Sequence, residues 1–279
     1  MGGNDIEIIE LADNGEGMDA EEGDLIFLEV PHNSKCFVPD IPAIAERAHQ
    51  VNALVVVDAT FGTPVLIQPL TLGADIVMHS SSKYLGGHSD LLGGVLVIKT
   101  RREYAMIRAV RMRLGNVMGS METFLLLRSL RTLTLRVEKQ SRSAWEIAQW
   151  LVQQPLVKQV HHPFLSGHPS HEVAVRLLKM GPSCFFVDLS HYLATLALPD
   201  NLHLFIMATS LGGFHSSIEI HGEVLDPGMR ISVGLEDPRD LIQDLKQAFD
   251  KTQLYIQERT DNSLPSPPKA RKEEKCSIC

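Results

Sequence analysis

Four short apolar runs in the first hundred residues lack polar alternation, and each predicts a buried strand. The runs are residues 24–30, 51–57, 75–78 and 94–98. A strand that is apolar on both faces is typical of a parallel sheet covered by helices on both sides. Residues 41–50 place apolar side chains at helical spacing, with Pro42 in the first turn, where its missing N–H is tolerated. This alternation of strands and helices predicts an α/β domain with a mostly parallel sheet.

The pattern becomes helical between residues 101 and 153. It predicts helices over 101–114, 121–139 and 143–153, with an apolar stripe at helical spacing that includes Phe124, Leu127, Leu130 and Leu135. Methionine and aromatic residues also recur at helical spacing in 104–127. We expect these side chains to be part of the core.

The composition of the chain changes after His161. Short strands are predicted over 183–189, 204–207 and 229–233, beside helices of which the last begins at Asp237-Pro238 with an acidic N-cap. Beyond Gln257 the sequence is polar, proline-bearing and then charged, which predicts a disordered tail. We therefore expect a large domain over 1–140, a smaller α+β domain over 141–255 and a tail over 256–279.

Charge and cysteine usage exclude several classes of protein. The 279 residues carry 26 Lys and Arg against 34 Asp and Glu, a net charge of −8, so no basic surface for nucleic-acid phosphates is expected. Four cysteines, at 36, 184, 276 and 279, are too few and too scattered for a disulfide framework. The sequence has no secretory signal and no apolar run of about 18 residues. We expect a cytoplasmic protein.

The last four residues have the form of a C-terminal prenylation signal, Cys276-Ser277-Ile278-Cys279, with basic residues just upstream. An unmodified tail is the favoured interpretation, and a redox or metal-binding cysteine pair is a third. Membrane attachment is expected only if Cys276 is prenylated. The histidines at 161, 162, 168 and 171 have no cysteine or carboxylate partner at ligand spacing, so no metal site is expected.

Two chemically distinctive side chains follow neighbouring predicted strands. Asp58 ends one strand, and Lys83 follows the next in a loop rich in serine and glycine. Ligands of open α/β sheets bind beyond the carboxyl ends of the strands. A surface ion pair beside a solvated loop would give the same pattern. Ser80 and Ser82, with the glycines that follow, favour the alternative in which a phosphate is held next to an amine.

These residues belong to segments that resemble the Cys/Met-metabolism enzymes that use pyridoxal 5'-phosphate (PLP). That family includes the cystathionine γ-synthases, the cystathionine β- and γ-lyases, methionine γ-lyase and the O-acylhomoserine sulfhydrylases. The similar segments are residues 56–64, 69–90, 119–133, 210–213 and 230–237, in the family order. The most specific are Ser-x-Ser-Lys-Tyr-x-x-Gly-His-Ser-Asp and Arg-Ile-Ser-Val-Gly-Leu-Glu-Asp. The resemblance covers about residues 6 to 250, and it implies fold type I, the aminotransferase-like α/β fold with a smaller α+β C-terminal domain.

The resemblance also implies roles for individual residues. Lys83 would form the Schiff base with PLP and later move protons on the substrate, while Asp58 would pair with the pyridine nitrogen. The other implied cofactor contacts are Thr60 against the ring, Ser80 and Ser82 on the phosphate, and Asn33 near the cofactor oxygen. Arg230 would bind the substrate α-carboxylate, with Asn33 and the Ser210 segment in the same pocket.

Three departures from the family pattern accompany this resemblance. Family members carry an additional N-terminal part, with further phosphate and ring contacts, which this chain is expected to lack. Ser82 stands where the family has threonine, and Ala59 where it has asparagine. The loop between Gly213 and Arg230 is also shorter than usual.

The function implied is PLP-dependent transsulfuration, namely elimination or replacement at the β or γ carbon of cystathionine or an O-acylhomoserine-type substrate. The resemblance further implies a homo-oligomer, a tetramer in the family, acting on a small amino-acid substrate. One alternative is a catalytically impaired relative that acts as a binding or scaffold subunit. Another is a γ-replacement enzyme of secondary metabolism.

Overall fold

The computed structural model describes residues 19–221 and 227–261. A four-stranded sheet organises the first half, in the order β1-β2-β3-β4. The strands are β1 (Leu25–Glu29), β2 (Leu54–Asp58), β3 (Ile76–Ser80) and β4 (Gly94–Ile98). The first three are parallel, and β4 runs antiparallel to β3. The mostly parallel sheet predicted from the apolar runs is confirmed, and each run gives a strand within a few residues of the expected bounds.

Helix α1 (Ile41–Gln50) covers one face of this sheet, with the bounds that the sequence predicts. Its buried side chains are Ile41, Ile44, Ala45 and Ala48, spaced to form one apolar face. They pack in one cluster with valines of β2 and β3. A short helix α2 (Thr63–Leu66) and a 3₁₀ turn (Pro69–Leu72) complete the connection from β2 to β3.

Three helices follow β4: α3 (Arg101–Leu114), α4 (Ser120–Leu130) and α5 (Leu133–Leu151). The bounds predicted for α3 are confirmed, but the break predicted at 140–142 is wrong. The break instead lies between α4 and α5, where Thr132 leaves helical geometry at φ −111° and ψ 3°, and α5 runs unbroken through Gln140. Two polar residues of the predicted break, Gln140 and Ser141, are buried in the helix.

The expectation that the methionine and aromatic residues of 104–127 are core is also wrong, except at Met118, which is partly buried against the cluster of Tyr84 and Leu85. Several large apolar side chains on α3 and α4 are between 51% and 66% exposed. Seven of these, called the α3–α4 apolar face below, are Tyr104, Met106, Val110, Met112, Met121, Phe124 and Leu127. Leu135 of the predicted stripe is 71% exposed and Leu130 is 39% exposed. Helical periodicity reveals which side chains share a face, but it does not reveal what covers that face.

A second, five-stranded sheet organises the rest of the chain, in the order β5-β6-β9-β8-β7. Its strands are β5 (Val157–His161), β6 (Cys184–Leu189), β7 (Ile206–Met207), β8 (Ser217–His221) and β9 (Gly228–Ser232). The β7–β8 pair is parallel and the other pairs are antiparallel. The three predicted strands are present, whereas β5 and β8 were not predicted.

The helices of this half are α6 (His171–Leu177), α7 (Tyr192–Ala197) and α8 (Pro238–Asp261), with a 3₁₀ turn at Pro199–Asn201. Asp237 caps α8, since its Oδ1 accepts the backbone N–H of Arg239 at 2.9 Å. The helix continues to Asp261, so residues 256–261 are helical where a tail was predicted. The Cys276–Cys279 motif and the start of the resembling region, from about residue 6 to residue 18, lie outside the described residues.

Helix α5 belongs to both halves. Leu133 and Val137 at its start pack with Tyr84 and Leu85, which follow β3, whereas its later residues pack on the second sheet. The boundary predicted at residue 140 falls in the middle of this helix, and the division into domains stays a prediction. Across residues 19–221 and 227–261, the structure contains no helix with the length and apolar character needed to cross a bilayer.

Candidate active site

A cavity of about 180 Å³ lies at the carboxyl ends of β1, β2 and β3, against one face of the second sheet. Its lining combines one amine, two carboxylates, one guanidinium and several hydroxyl, amide and apolar groups. The lining residues are Glu29, Pro31, Asn33, Asp58, Thr60, Phe61, Ser80, Lys83, Thr209, Leu211 and Arg230. Six residues that the sequence assigns to one site therefore meet in one cavity: Asn33, Asp58, Thr60, Ser80, Lys83 and Arg230.

Lys83 lies in a single π-helical turn (Ser81–Leu85) that directly follows β3. Its own backbone leaves the helical region, at φ −96° and ψ −127°. The turn is closed on both sides of the lysine, because Gly86 N–H donates to Ser81 O at 2.8 Å and Gly87 N–H to Lys83 O at 2.6 Å. This fixed turn holds the amine-bearing side chain on the cavity wall.

Asp58 and Thr60 are held by hydrogen bonds that link the ends of β2 and β3. The backbone N–H of Thr60 donates to Asp58 Oδ1 at 2.8 Å, and the backbone N–H of Ser80 donates to Thr60 Oγ1 at 2.8 Å. His79 lies behind them, with Nδ1 3.1 Å from Ala59 O, and burial lowers its pKa from the ordinary value. The carboxylate, the threonine and the serine are thus positioned by the backbone of neighbouring strands.

Arg230, on β9, brings the second sheet into the site. Its side chain is 5% exposed, and Nη1 donates to Asn33 Oδ1 at 3.1 Å. Nη2 donates to the Thr209 carbonyl and forms an ion pair with Glu219 Oε2. The backbone N–H of Asn33 donates in turn to a carboxylate oxygen of Glu29, at the end of β1. A chain of polar contacts therefore connects both sheets across the cavity.

Two sequence-predicted residues do not line the cavity. Ser82 Oγ accepts the backbone N–H of Gly93 at 3.0 Å, which ties it to the loop before β4. Ser210 is exposed, and its carbonyl accepts the Ser217 hydroxyl at 3.1 Å. The neighbours of Ser210 line the cavity in its place, and the roles expected for Ser82 and Ser210 stay predictions.

The lysine turn rests on buried polar groups. Arg136 of α5 donates from Nη1 to Tyr84 O at 2.9 Å, and burial lowers the arginine's pKa. The Tyr84 hydroxyl lies 2.8 Å from the Ser183 hydroxyl, and burial raises the tyrosine's pKa well above its usual value. Gly212 packs on the same tyrosine at φ +74°, and a Cβ there would lie 2.8 Å from the ring.

Sequence reasoning missed six residues of the site: Glu29, Pro31, Phe61, Thr209, Leu211 and Glu219. A signal was available for Glu29, because it ends a predicted strand on the edge where parallel sheets bind ligands. Glu219 lies on the unpredicted strand β8, directly opposite Arg230 on β9. Only the strand pairing brings it to the arginine.

The Cys/Met metabolism PLP-dependent enzyme model matches residues 10–250. The chain belongs to this family. A cystathionine gamma-lyase of Dictyostelium discoideum is 40% identical over 244 residues, which are 81% of this chain and 63% of the relative. A cystathionine beta-lyase of Lactococcus lactis is 37% identical over 246 residues, 83% of this chain and 65% of the relative.

The fold is that of solved family members. A cystathionine gamma synthase of Xanthomonas oryzae pv. oryzae, whose structure is in complex with cystathionine, superposes with a TM-score of 0.80 at 34% identity. The superposition covers 83% of this chain and 64% of that chain. The fold type I expectation is confirmed. The chain spans less than two thirds of the length of these relatives.

The residues present fit PLP, the family's cofactor. The cavity offers an amine for the aldehyde, a carboxylate for the pyridine nitrogen, an apolar and hydroxyl wall for the ring, and the Ser80 hydroxyl for the phosphate. Asn33 Oδ1 accepts from Arg230 Nη1 and Thr60 Oγ1 accepts from the backbone N–H of Ser80, so both side chains are held in place. At the phosphate end of the described cavity, Ser80 supplies the hydroxyl.

Proposed function

We propose that this chain is a PLP-dependent enzyme of sulfur amino-acid metabolism that eliminates or replaces a group at the β or γ carbon of an amino acid. The observation that carries the proposal is the meeting of Lys83, Asp58 and Arg230 in one cavity. An amine, a carboxylate and a guanidinium are the groups needed to hold PLP at two points and an amino-acid carboxylate at a third. Family membership supplies the reaction class.

Lys83 holds the cofactor through its amine and then accepts or returns a proton at the reacting carbon of the substrate. Asp58 keeps the pyridine nitrogen protonated, and the backbone N–H of Thr60 fixes the orientation of its carboxylate. Thr60 would contact the ring, and Ser80 would donate to the phosphate. PLP, when bound, supplies the electron sink for the carbanion formed at the substrate.

Arg230 and Asn33 bind the α-carboxylate of the substrate. Arg230 Nη1 already donates to Asn33 Oδ1 at 3.1 Å, so a carboxylate that binds one of these side chains also lies beside the other. A planar guanidinium matches a carboxylate with two parallel hydrogen bonds, which a lysine cannot form. This contact orients the substrate so that its α-carbon faces Lys83.

Cystathionine or an O-acylhomoserine is the substrate class that we propose. Relatives of comparable identity are named cystathionine gamma-lyase, cystathionine beta-lyase and cystathionine gamma-synthase, so each name refers to cystathionine. A γ-replacement on activated homoserine with a nucleophile other than cysteine uses the same residues. Product analysis therefore decides between these reactions.

The α3–α4 apolar face supports a homo-oligomer. Seven large apolar side chains with more than half of their surface exposed are more than an isolated monomer ordinarily leaves in contact with water. The family forms tetramers, and we propose that a second copy of the chain covers this face. Cys36 and Cys184 are buried free thiols, which supports a reducing compartment such as the cytosol.

Absorbance of the purified protein tests the proposal. With excess PLP the protein should show a visible band, and borohydride should fix PLP covalently on the peptide that contains Lys83. Lys83→Ala should abolish both signals, whereas Lys99→Ala, at an exposed lysine after β4, should retain them. A colourless protein in excess PLP would favour the catalytically silent relative over the enzyme.

A substrate panel then identifies the reaction. Cystathionine and O-acylhomoserines should be supplied with and without cysteine, and the release of 2-oxo acid, thiol and carboxylate should be measured. Elimination gives a 2-oxo acid and ammonia, whereas replacement gives a new thioether. Turnover of none of these substrates by the PLP-loaded protein would contradict the proposed reaction class.

A further inference from the structure

The donors of Arg230 are already engaged in the structure. Nη2 donates to the Thr209 carbonyl and is also in ion-pair contact with Glu219 Oε2, while Nη1 donates to Asn33 Oδ1. Nη2 donates one of its two hydrogens to the Thr209 carbonyl, and Glu219 Oε2 lies against the same nitrogen as an ion-pair partner that accepts no hydrogen bond. Two oxygens therefore already lie at this nitrogen before any ligand arrives.

Two-point binding of a carboxylate depends on that same nitrogen. A guanidinium offers a carboxylate two usable edges, Nη1 with Nη2 or Nε with Nη2, since the third edge is blocked by the arginine's own Cδ. Both usable edges include Nη2. A substrate carboxylate that binds Arg230 at two points must therefore replace Glu219 or the Thr209 carbonyl.

Glu219 is the partner that can leave. It lies directly opposite Arg230 in the β8–β9 pair, and its side chain is 20% exposed. Its Oε2 is also 3.0 Å from Nε2 of His221, two residues along β8 on the same face. The Thr209 oxygen, by contrast, belongs to the backbone and has no second cation beside it in the described contacts. Glu219 thus lies between the Arg230 guanidinium and the His221 imidazole and can exchange one contact for the other.

We propose that Glu219 occupies the carboxylate site of Arg230 until an amino-acid substrate displaces it towards His221. The proposal rests on the function proposed above, because it assigns Arg230 to the substrate carboxylate. It makes Glu219 and His221 determinants of substrate affinity, with His221 as the second partner of the displaced carboxylate. The apparent affinity for the substrate carboxylate is lower because only the molecules in which Glu219 has left Arg230 can bind it there.

His221 supplies the second contact of the displaced carboxylate, because its Nε2 lies 3.0 Å from Glu219 Oε2. The groups that face His221 are Glu219 on its own strand, Asp188 across Gly228, and the Phe186 ring, 5.4 Å away. Asp188 is held by His161 at 2.6 Å and by Lys35 at 3.8 Å. The carboxylate that contacts the His221 imidazole in this structure is that of Glu219.

Two matched ligands isolate the carboxylate contact. L-2-aminobutyrate carries an amine and a carboxylate but no leaving group, and n-propylamine is the same molecule without the carboxylate. The dissociation constants of both ligands are measured from the visible absorbance change of the PLP-loaded protein. A substitution that affects only the binding of the amine changes both constants equally. The ratio of the two constants therefore reports binding at Arg230.

Glu219→Gln should tighten aminobutyrate binding by about tenfold, as expected if about a tenth of the native molecules have the arginine available. Propylamine binding should not change. Glu138→Gln removes the same charge from the exposed Glu138–Arg142 pair on α5 and should change neither constant. In kinetics with a reactive substrate, Glu219→Gln should lower KM with little change in kcat. His221→Gln removes the imidazole that contacts the displaced carboxylate, so it should weaken aminobutyrate binding and leave propylamine binding unchanged.

Unchanged or weaker aminobutyrate binding in Glu219→Gln would overturn the proposal, since it would make Glu219 a neutral or supporting partner of Arg230. If that variant does not fold, Glu219→Asp, whose carboxylate is one methylene shorter, must shift binding in the same direction. Loss of the PLP band in the native protein would contradict the proposed function instead. In that case calorimetric titration of both ligands into the PLP-free protein still measures the competition at Arg230.

Discussion

The hydroxyl of Tyr84 lies 2.8 Å from the hydroxyl of Ser183, and both side chains are almost fully buried. Tyr84 follows the lysine of the candidate site, and Ser183 precedes the strand β6 of the second sheet. This hydrogen bond joins the turn that carries Lys83 to the other half of the molecule. The position of the amine depends on contacts between the two sheets.

Substitutions at this pair should affect stability unequally. Ser183→Ala leaves a buried phenol without its partner and should lower the free energy of unfolding by about 1–3 kcal/mol, whereas Tyr84→Phe should cost about 1 kcal/mol. The double variant should cost less than the sum of the two. Urea unfolding of the four proteins measures these values, with Tyr104→Phe, at an exposed tyrosine of α3, as the control. Strictly additive costs would show that the two hydroxyls do not interact.

Asp58→Asn should separate cofactor binding from catalysis. The amide keeps the size of the side chain but does not hold a proton on the pyridine nitrogen, so the ring becomes a weaker electron sink. We expect PLP to remain attached through Lys83 while turnover falls by at least about 10²-fold. Absorbance and steady-state kinetics measure the two effects, and Asp250→Asn, at an exposed position on α8, is the control. Full turnover in Asp58→Asn would rule out the role assigned to this carboxylate.

His162 should contribute to the acid sensitivity of the fold. Burial among Trp145, Phe164 and Phe185 lowers its pKa to about 3, against 6.5 for the free side chain. Between these two pH values His162 binds a proton in the unfolded chain but not in the folded protein. The stabilising contribution is therefore complete above pH 6.5 and is lost as the pH falls towards 3, at up to about 1.4 kcal/mol per pH unit.

In His162→Gln the free energy of unfolding should fall less steeply between pH 6.5 and pH 4, by a slope that corresponds to the binding of about one proton. This difference in slope is expected whatever the substitution does to the free energy of unfolding at pH 7. Urea unfolding at pH 7, 6, 5 and 4 measures the slope. His203→Gln, at an exposed histidine, should leave the slope unchanged. Equal slopes in the native protein and in His162→Gln would show that His162 does not bind the proton that destabilises the fold.

A charge on the α3–α4 apolar face should disrupt assembly. Leu127→Glu places a carboxylate among exposed apolar side chains of α4 and should shift the protein to a smaller species, because the charge would lose its hydration in an interface. Light scattering after size-exclusion chromatography measures the mass. Val175→Glu, at an apolar residue of α6 that is 51% exposed, should leave the mass unchanged. An unaltered mass in Leu127→Glu would show that this face is not an interface.

Buried strands are the part of the fold that the sequence predicts best, since β2 and β3 have no polar face and their apolar runs have one interpretation. The break between α4 and α5 was misplaced for the opposite reason. Gln140 and Ser141 look like solvent-exposed loop residues, but the fold buries them, and Gln140 donates to the carbonyl of Gly213 at 2.7 Å. A polar residue that is buried for a long-range hydrogen bond cannot be distinguished from an exposed one by local pattern.

The candidate site shows the same limit. Asp58 and Lys83 were predictable because each follows a recognisable strand, and Arg230 followed from the family motif. Glu219 was not, because strand β8 is short and its pairing with β9 depends on the whole second sheet. The contact of Ser82 with Gly93 is likewise set by the return of the chain into β4. Local spacing identifies the reactive groups, while tertiary pairing decides which of them already have partners.

Helix α5 packs its first turns on the lysine turn and its last turns on β5 and α8. Because one unbroken helix contributes to both cores, neither half can lose its packing without exposing apolar residues that the other half needs. The two sheets should therefore melt together in a single cooperative transition, without a stable half-folded species in which the cavity has opened.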